Sequence, residues 1–233
     1  MKVIMTIPEL HSGDAKFYKD NIITSVNSKL TMYDISGNLI SSYDGINTNW
    51  IDSLPDENLI IYGNTNKQIG LVTLDENNKI LSNEIIIEKE NYQIDPTIIK
   101  VNDTYYITMT EIEGSVNNSD INAKNGTYTV HLYKSSDLKQ WDFVTDIIKA
   151  DNNIEDVDIF YKNKKFYVVF EKEEVDKGNS EIDVLVSDDE NGTSFSKKHE
   201  LLESTCDHEP EGIEISDNNY ILYYSCDKNY VGQ

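Results

Sequence analysis

The stretch Ile94-Asp95-Pro96-Thr97-Ile98-Ile99, followed by Asn102-Asp103-Thr104-Tyr105-Tyr106, decides the fold because its pattern returns twice further along the chain. In this copy the acidic residue Asp95 stands eleven positions before Tyr106. The same spacing links Asp156 to Tyr167 and Glu209 to Tyr220, and in weaker form Asn49 to Ile60 and Ser12 to Ile23. The unit therefore recurs five times, starting near residues 12, 49, 95, 156 and 209.

Each unit contains short runs of alternating apolar and polar residues, rich in Val, Ile, Thr, Tyr and Phe, separated by Asn, Asp and Gly. Such runs indicate antiparallel strands joined by tight turns. Four strands per repeat predict a five-bladed β-propeller that forms a single domain over residues 1–233, with Lys2–Leu10 as the strand that closes the ring. A β-sandwich with Greek-key connections is the competing fold, but sandwiches do not repeat internally.

The charge composition narrows the set of partners. The 233 residues include 42 acidic and 20 basic ones, the net charge is −22, and every basic residue is lysine. Without arginine the chain cannot build an arginine cluster for carboxylates or phosphates, and its acidity argues against nucleic acid. No apolar run is long enough for a membrane helix. We expect a cytoplasmic monomer, or a secreted one if a leader was trimmed, because Met1–Glu9 does not read as a signal peptide.

The repeat also predicts a site. In a propeller the first strand of each blade lines a central channel, so the aligned positions are expected to converge on one funnel. Like charges at close range raise the pKa of at least one carboxyl group, which gives the protonated and ionised pair that acid–base catalysis requires. The predicted catalytic residues are Asp95, Asp156 and Glu209. The predicted substrate-binding residues are His11, Asn49, Trp50, Asp52, Asp158, His208 and Glu211. Two long loops, Glu111–Gly126 and Glu173–Ser180, are expected above the same face.

No metal site is predicted. Cys206, His208, Glu209 and Cys226 lie close in a predicted hairpin, but their spacing matches no zinc pattern. We therefore expect no cofactor, while leaving open an ion such as calcium in the central channel.

At this point the chain resembles the five-bladed propeller glycoside hydrolases of family 43. The resemblance rests on Ile94–Ile99 with Asn102–Ile107, on Ser135–Trp141, and on the openings Glu155–Phe160 and Glu209–Ile213. It implies glycosidic-bond hydrolysis with a general-base Asp, an Asp that tunes the pKa and a general-acid Glu. By motif these roles fall on Asp95, Asp156 and Glu209.

The spacing of these residues leaves the base open. The family keeps one blade between the base and the tuning Asp, whereas Asp95, Asp156 and Glu209 lie in consecutive repeats. The family's spacing would place the base in the second repeat, at Asn49 or Asp52, and an asparagine cannot act as a base. The sequence thus predicts a propeller that hydrolyses or binds an oligosaccharide or polysaccharide through an acidic funnel. The alternative is a catalytically inactive propeller that binds glycan or protein.

Overall fold

The computed structural model describes residues 14–114, 126–151, 153–174, 179–204, 210–216 and 219–224. Nearly all of these residues lie in β-strands or in the turns between them, and the only helical elements in these ranges are three-residue 3-10 turns at Val26–Ser28 and Pro55–Glu57. Over this part of the chain no helix is long and apolar enough to span a membrane.

The strands form four-stranded antiparallel sheets, each with its strands in chain order. Blade 1 contains β1 (Ala15–Tyr18), β2 (Asn21–Thr24), β3 (Lys29–Asp34) and β4 (Leu39–Asn47). Blade 2 contains β5 (Trp50–Leu54), β6 (Leu59–Asn64), β7 (Gln68–Leu74) and β8 (Ile80–Glu88). Blade 3 contains β9 (Tyr92–Val101), β10 (Thr104–Glu113), β11 (Thr127–Ser135) and β12 (Asp142–Ala150). Blade 4 contains β13 (Asn153–Lys162), β14 (Lys165–Glu174), β15 (Asn179–Ser187) and β16 (Phe195–Ser204).

The fifth repeat differs from the others. Its described residues form a two-stranded sheet of β17 (Pro210–Ser216) and β18 (Asn219–Tyr224). The structure therefore has four four-stranded blades rather than the predicted five, because the last repeat supplies only one hairpin within the described residues. The predicted closing strand Lys2–Leu10 lies outside the described residues, so ring closure stays a prediction.

Turn chemistry explains the strand boundaries. The β13–β14 hairpin turns at Asn163 and Lys164, whose φ angles of 51° and 60° are both left-handed, as a two-residue turn between twisted strands requires. The third and fourth strands of each blade are joined by short turns that contain aspartate, in line with the Asn, Asp and Gly residues between the predicted strands. The predicted long loops are shorter than expected, because β10 continues to Glu113 and β14 to Glu174.

The chain divides into two compact units, Met1–Ile98 and Ile99–Gln233. The boundary falls within β9, and the prediction of a single domain stays a prediction. In the first unit a buried cluster is drawn from the strands of blades 1 and 2, including Tyr18, Leu30, Ile51, Tyr62 and Leu74. This cluster joins the two sheets, because the apolar faces of their strands exclude water together.

In the second unit the fully buried ring of Phe166 on β14 connects residues of three strands. It contacts Tyr106 on β10 and Tyr161 on β13, with ring centroids 4.7 and 4.8 Å away. Gly192 lies against the same ring. A Cβ atom there would lie 2.9 Å from Leu132 Cδ2 and 3.0 Å from Phe166 Cδ2, so a larger residue would force these side chains to shift.

Candidate functional site

The backbone has an uncommon conformation at two predicted catalytic positions. Asp95 on β9 and Asp156 on β13 have φ angles of 48° and 50°, in the left-handed region that residues other than glycine seldom adopt. The β13–β14 pairing shifts register between Glu155 and Asp158, which makes Asp156 part of a β-bulge. Bulges and strained backbones of this kind cluster at functional sites, where they redirect a side chain.

In the first unit the structure brings Trp50 close to the Asp95 segment. Asp95 is buried, with 8% of its surface exposed, and Trp50 is partly exposed. Gly63 on β6 is the direct pairing partner of Trp50 on β5. A Cβ atom on Gly63 would lie 3.2 Å from Trp50 Cε3, 3.2 Å from the Gln93 carbonyl oxygen and 3.5 Å from Pro96 Cδ. The absent side chain of Gly63 thus lets the indole ring lie next to the start of β9.

Asn49 is fixed beside Trp50 through its backbone. Its N–H donates to the carbonyl of Gly63 at 2.8 Å, and its own carbonyl accepts from Ser25 Oγ at 2.9 Å. Its side-chain Nδ2 donates to Ser28 Oγ at 3.4 Å. Within the described part of the chain, the buried Oδ1 of Asn49 has no hydrogen-bond partner. Since unsatisfied buried acceptors are rare, Asn49 remains a candidate ligand-binding residue.

Asp52 has a structural contact. Its Oδ2 accepts a hydrogen bond of 2.9 Å from the backbone N–H of Ile98, 46 residues further along the chain. Asp14 does the same one blade earlier, where its Oδ2 accepts from the N–H of Ile51 at 2.9 Å, 37 residues away. Both separations equal the repeat steps at those points. The sequence analysis missed Asp14. The available signal was its position, 37 residues before Ile51 in the first strand of the next blade, which equals the repeat step.

In the second unit the predicted residues Asp156 and Asp158 are both partly buried on β13. Oδ1 of Asp158 accepts from the N–H of Ile159 at 2.8 Å. Buried acids that were not predicted lie in the same blade, namely Glu171 on β14 and Asp183 on β15. Glu171 is directly opposite Glu155 in the strand pairing. Blade 4 therefore contains more buried acidic groups than the repeat pattern indicates.

For four predicted residues the structure describes no side chain. His11, His208 and Glu209 lie outside the described residues, and Glu211 is described only through its backbone on β17. The convergence of Asp95, Asp156 and Glu209 on one acidic funnel stays a prediction for this reason. In the part of the chain that is described, no group of three or more His, Cys, Asp or Glu side chains could hold a metal ion.

Burial also affects Tyr106, the tyrosine eleven positions after Asp95. Burial raises the pKa of Tyr106, and nearby Tyr161 raises it further. The phenol of Tyr106 therefore stays neutral at physiological pH, as its packing against Phe166 requires.

A known protein family matches more than half of the chain. The family model of glycosyl hydrolases family 43 matches residues 86–228, which include blades 3 and 4 and the two-stranded sheet. No curated protein matches the chain in sequence.

Solved structures resemble the fold over most of the chain. An α-L-arabinofuranosidase of Fusarium graminearum is 11% identical with a TM-score of 0.61, covering 95% of this chain and 76% of its own. One from Lactobacillus brevis is 15% identical with a TM-score of 0.59, covering 76% and 62%. A GH32 β-fructofuranosidase of Bombyx mori is 14% identical with a TM-score of 0.55, covering 89% and 53%. This chain thus spans about half the length of the Bombyx protein. The prediction of an all-β propeller with four-stranded blades is confirmed.

Proposed function

The chain belongs to glycosyl hydrolase family 43, and from that premise we propose that it hydrolyses glycosidic bonds in an oligosaccharide or polysaccharide. The observation that carries this proposal is the location of the three motif acids. Asp95, Asp156 and Glu209 all lie within the family match, and the first two share the same left-handed backbone. Acids held in strained backbone at equivalent points of two blades favour a catalytic role over solvent exposure.

The proposed chemistry assigns one role to each acid. Glu209 donates a proton to the leaving oxygen as the bond to the anomeric carbon breaks through an oxocarbenium-like transition state. Asp95 removes a proton from the attacking water, and Asp156 orients the acid and tunes its pKa. The separation of the two carboxyl groups would set the outcome, with ~6.5–9.5 Å giving inversion and ~5–5.5 Å retention.

Between the two candidate bases, the Asp-Pro motif of Asp95 and the backbone contact of Asp52 support Asp95. Asp52 accepts a hydrogen bond from the Ile98 amide, and Asp14 makes the equivalent bond to Ile51. A role shared with a second blade is best explained as support of the backbone. Asp95 is buried, shares its left-handed backbone with Asp156, and is followed by proline as in the family's Asp-Pro motif.

The sugar-binding residues of this proposal begin with Trp50 and Asn49. An indole ring can stack on the apolar face of a sugar, and the Asn49 carboxamide can accept from a hydroxyl group. The names of the three structural relatives all refer to furanosides. Furanosides are therefore the first substrates to test. The expected absence of nucleic-acid and membrane partners, the monomeric state and the cytoplasmic location stay predictions.

The experiment measures reducing-sugar release from arabinan, arabino-oligosaccharides, fructans and a xylan as a pyranoside comparison. We expect release from at least one furanoside and a loss of ~100-fold or more in kcat for Asp95→Asn, because a general base is removed. Asp142→Asn, at an exposed acid on β12, is the control and should keep the activity.

Two results would overturn the proposal. One is the absence of release from every member of the panel, and the other is full activity of Asp95→Asn. Glycan binding without any release would instead match the inactive binding protein.

A further inference from the structure

His131 on β11 lies between two carboxyl groups that the proposed chemistry does not use. Its Nδ1 is 2.7 Å from Oδ1 of Asp146 on β12, and its Nε2 is 2.8 Å from Oε2 of Glu111 on β10. The side chains of His131 and Glu111 are each 11% exposed, whereas that of Asp146 is 52% exposed. The three groups form a chain of hydrogen bonds from solvent to a buried carboxyl group.

The two distances set a minimum number of hydrogen atoms. At 2.7 and 2.8 Å each nitrogen–oxygen contact must contain a hydrogen, since two facing lone pairs would repel. A neutral imidazole carries only one N–H, and two ionised carboxylates carry none. The three groups therefore hold one hydrogen more than neutral histidine with two carboxylates, and their net charge is −1 instead of −2.

Surrounding groups hold this arrangement in place. The rings of Tyr133 and Phe143 meet the imidazole edge-on, at centroid distances of 6.1 and 6.0 Å. Further along the same strands, Glu113 on β10 and Lys149 on β12 pair with each other at 3.7 Å. Ion pairs on β10 and β12 near His131 therefore involve Glu111, Glu113, Asp146 and Lys149. Lys149 is thus already paired with Glu113.

We propose that Asp146, His131 and Glu111 form a proton-holding site, in which both ring nitrogens of His131 carry a hydrogen and Asp146 connects the buried Glu111 to solvent. From this state the hydrogen on Nε2 can move to Glu111, which becomes the neutral acid while Nδ1–H still donates to Asp146. When Glu111 returns that proton to Nε2, Nδ1–H passes its proton to Asp146, which exchanges it with water, and each of the two contacts holds one hydrogen throughout the transfer. The reverse transfer protonates Glu111 again, and no oxidant or co-reactant is needed. Both ends of the chain can thus exchange protons while the imidazole keeps its place.

This site would serve glycoside hydrolysis, which takes up and releases one proton in each cycle. That consequence rests on the proposed function, whereas the proton count does not. Glu111 and His131 then act as positioning residues for proton supply, and no contact of theirs with a sugar is implied.

The first test is a long-range 1H–15N correlation spectrum of the 15N-labelled protein at neutral pH. His131 is identified by the signals that disappear in His131→Gln. We expect two protonated ring nitrogens in the wild type. In Glu111→Gln we expect one, because the new amide can donate to Nε2 and the second hydrogen on the ring is no longer required. Glu113→Gln, at the neighbouring ion pair on the same strand, should keep both.

A single protonated nitrogen in the wild-type protein would overturn the proposal. Two protonated ring nitrogens in Glu111→Gln would overturn it as well, because the second ring hydrogen would then not depend on the Glu111 carboxylate.

The second test applies once a substrate is known. Glu111→Gln should lower kcat ~10-fold or more and move the pH–rate profile, with KM unchanged, because proton supply and not binding is impaired. Glu113→Gln should leave both unchanged. Equal kcat and pH profiles for the two variants would overturn the role in hydrolysis. A protein that shows both ring hydrogens but hydrolyses nothing would refute the proposed function and leave the proton-holding site standing.

Discussion

At the scale of single residues, the structure distinguishes acids that accept a hydrogen bond from a distant backbone amide from acids that lie in left-handed backbone. Asp14 and Asp52 each hold an amide of the following blade, while Asp95 and Asp156 lie in left-handed backbone. The repeat predicted Asp52, Asp95 and Asp156 as site residues and missed Asp14. It could not distinguish a structural role from a catalytic one. A role of this kind depends on which amide lies opposite, and that amide comes from a distant part of the chain.

Substitution of Asp52 tests its structural role. Asp52→Ala leaves the N–H of the buried Ile98 without a partner, which costs about 1–3 kcal/mol in the free energy of unfolding. Asp52→Asn keeps an acceptor oxygen and should cost less. Urea denaturation measures both, with Asp44→Ala, at an exposed acid of β4, as a control expected within ~0.5 kcal/mol of wild type.

The same variants discriminate between the two candidate bases. Asp52→Asn should keep any hydrolytic activity. If Asp52→Asn has normal stability but no hydrolytic activity, Asp52 is the general base and the assignment of Asp95 is wrong.

His131 shows a second limit of sequence reading at this scale. Its alternation with Tyr133 indicates only a strand residue. The bond to Glu111 spans 20 positions and the bond to Asp146 spans 15. The sequence also placed Glu111 in a loop, so no pattern could have indicated that these three groups meet.

At the scale of elements, the turns between the third and fourth strands were the most predictable feature. Each is held by an aspartate near its start, whose carboxylate accepts hydrogen bonds from residues that follow. In blade 2, Asp75 Oδ1 accepts from the N–H groups of Asn77 and Lys79 at 2.8 and 2.9 Å. Such turns are local, so sequence alone predicts them. The corresponding carboxylates are Asp34, Asp75, Asp137, Asp188 and Asp189.

These turns give the protein an acid-dependent stability. The backbone bond from Lys79 is the largest factor that lowers the pKa of Asp75, and the side chain of Asn38 is the largest for Asp34. A pKa lowered in the folded state means a stabilisation that is complete above the unfolded value of about 3.9. It is lost as the pH falls through the lower folded value.

We therefore expect the free energy of unfolding to decrease as the pH is taken from 5 to 3, and to decrease less steeply in Asp75→Asn. Urea titrations at a series of pH values measure the slope. The control is Asp56→Asn, in the exposed Pro55–Glu57 turn. Identical slopes for Asp75→Asn and wild type would show that the Asp75 turn does not contribute.

The turn of blade 4 also contains Gly192, which connects turn and core. Its φ is +69°, and a Cβ atom there would contact Leu132 and Phe166. Gly192→Ala should therefore add ~1–3 kcal/mol of overpacking to the ~1–2 kcal/mol of a left-handed alanine.

Gly45 offers a matched control for this variant. Its φ is +86°, but nothing lies within 4 Å of the Cβ position. Gly45→Ala should cost only the backbone part, and thermal unfolding measures both. Equal losses in the two variants would mean that the Phe166 contact adds nothing.

The strands themselves were predicted unevenly. The three strong copies of the repeat gave first strands close to those observed at β9, β13 and β17. Blades 1 and 2 are complete, although their copies lack the acidic residue and the tyrosine. The fold there is maintained by apolar alternation and shared core packing, which tolerate changes in individual residues.

At the scale of the whole molecule, fold and function are supported over different lengths of chain. The fold likeness covers up to 95% of the residues, while the family match covers residues 86–228. The catalytic assignment therefore depends mainly on the second half. The net charge of −22 leads us to expect no nucleic-acid partner, and it does not identify a substrate.

The most direct test of glycoside hydrolysis by this chain compares Glu209→Gln with wild type on two substrates with the same glycone. One releases a sugar and the other, an aryl furanoside, releases 4-nitrophenol, which needs little protonation to leave. Loss of a general acid should lower kcat/KM ~100- to 10,000-fold on the first substrate and far less on the second. Equal kcat/KM ratios on both substrates, or unchanged turnover in Glu209→Gln, would contradict the account.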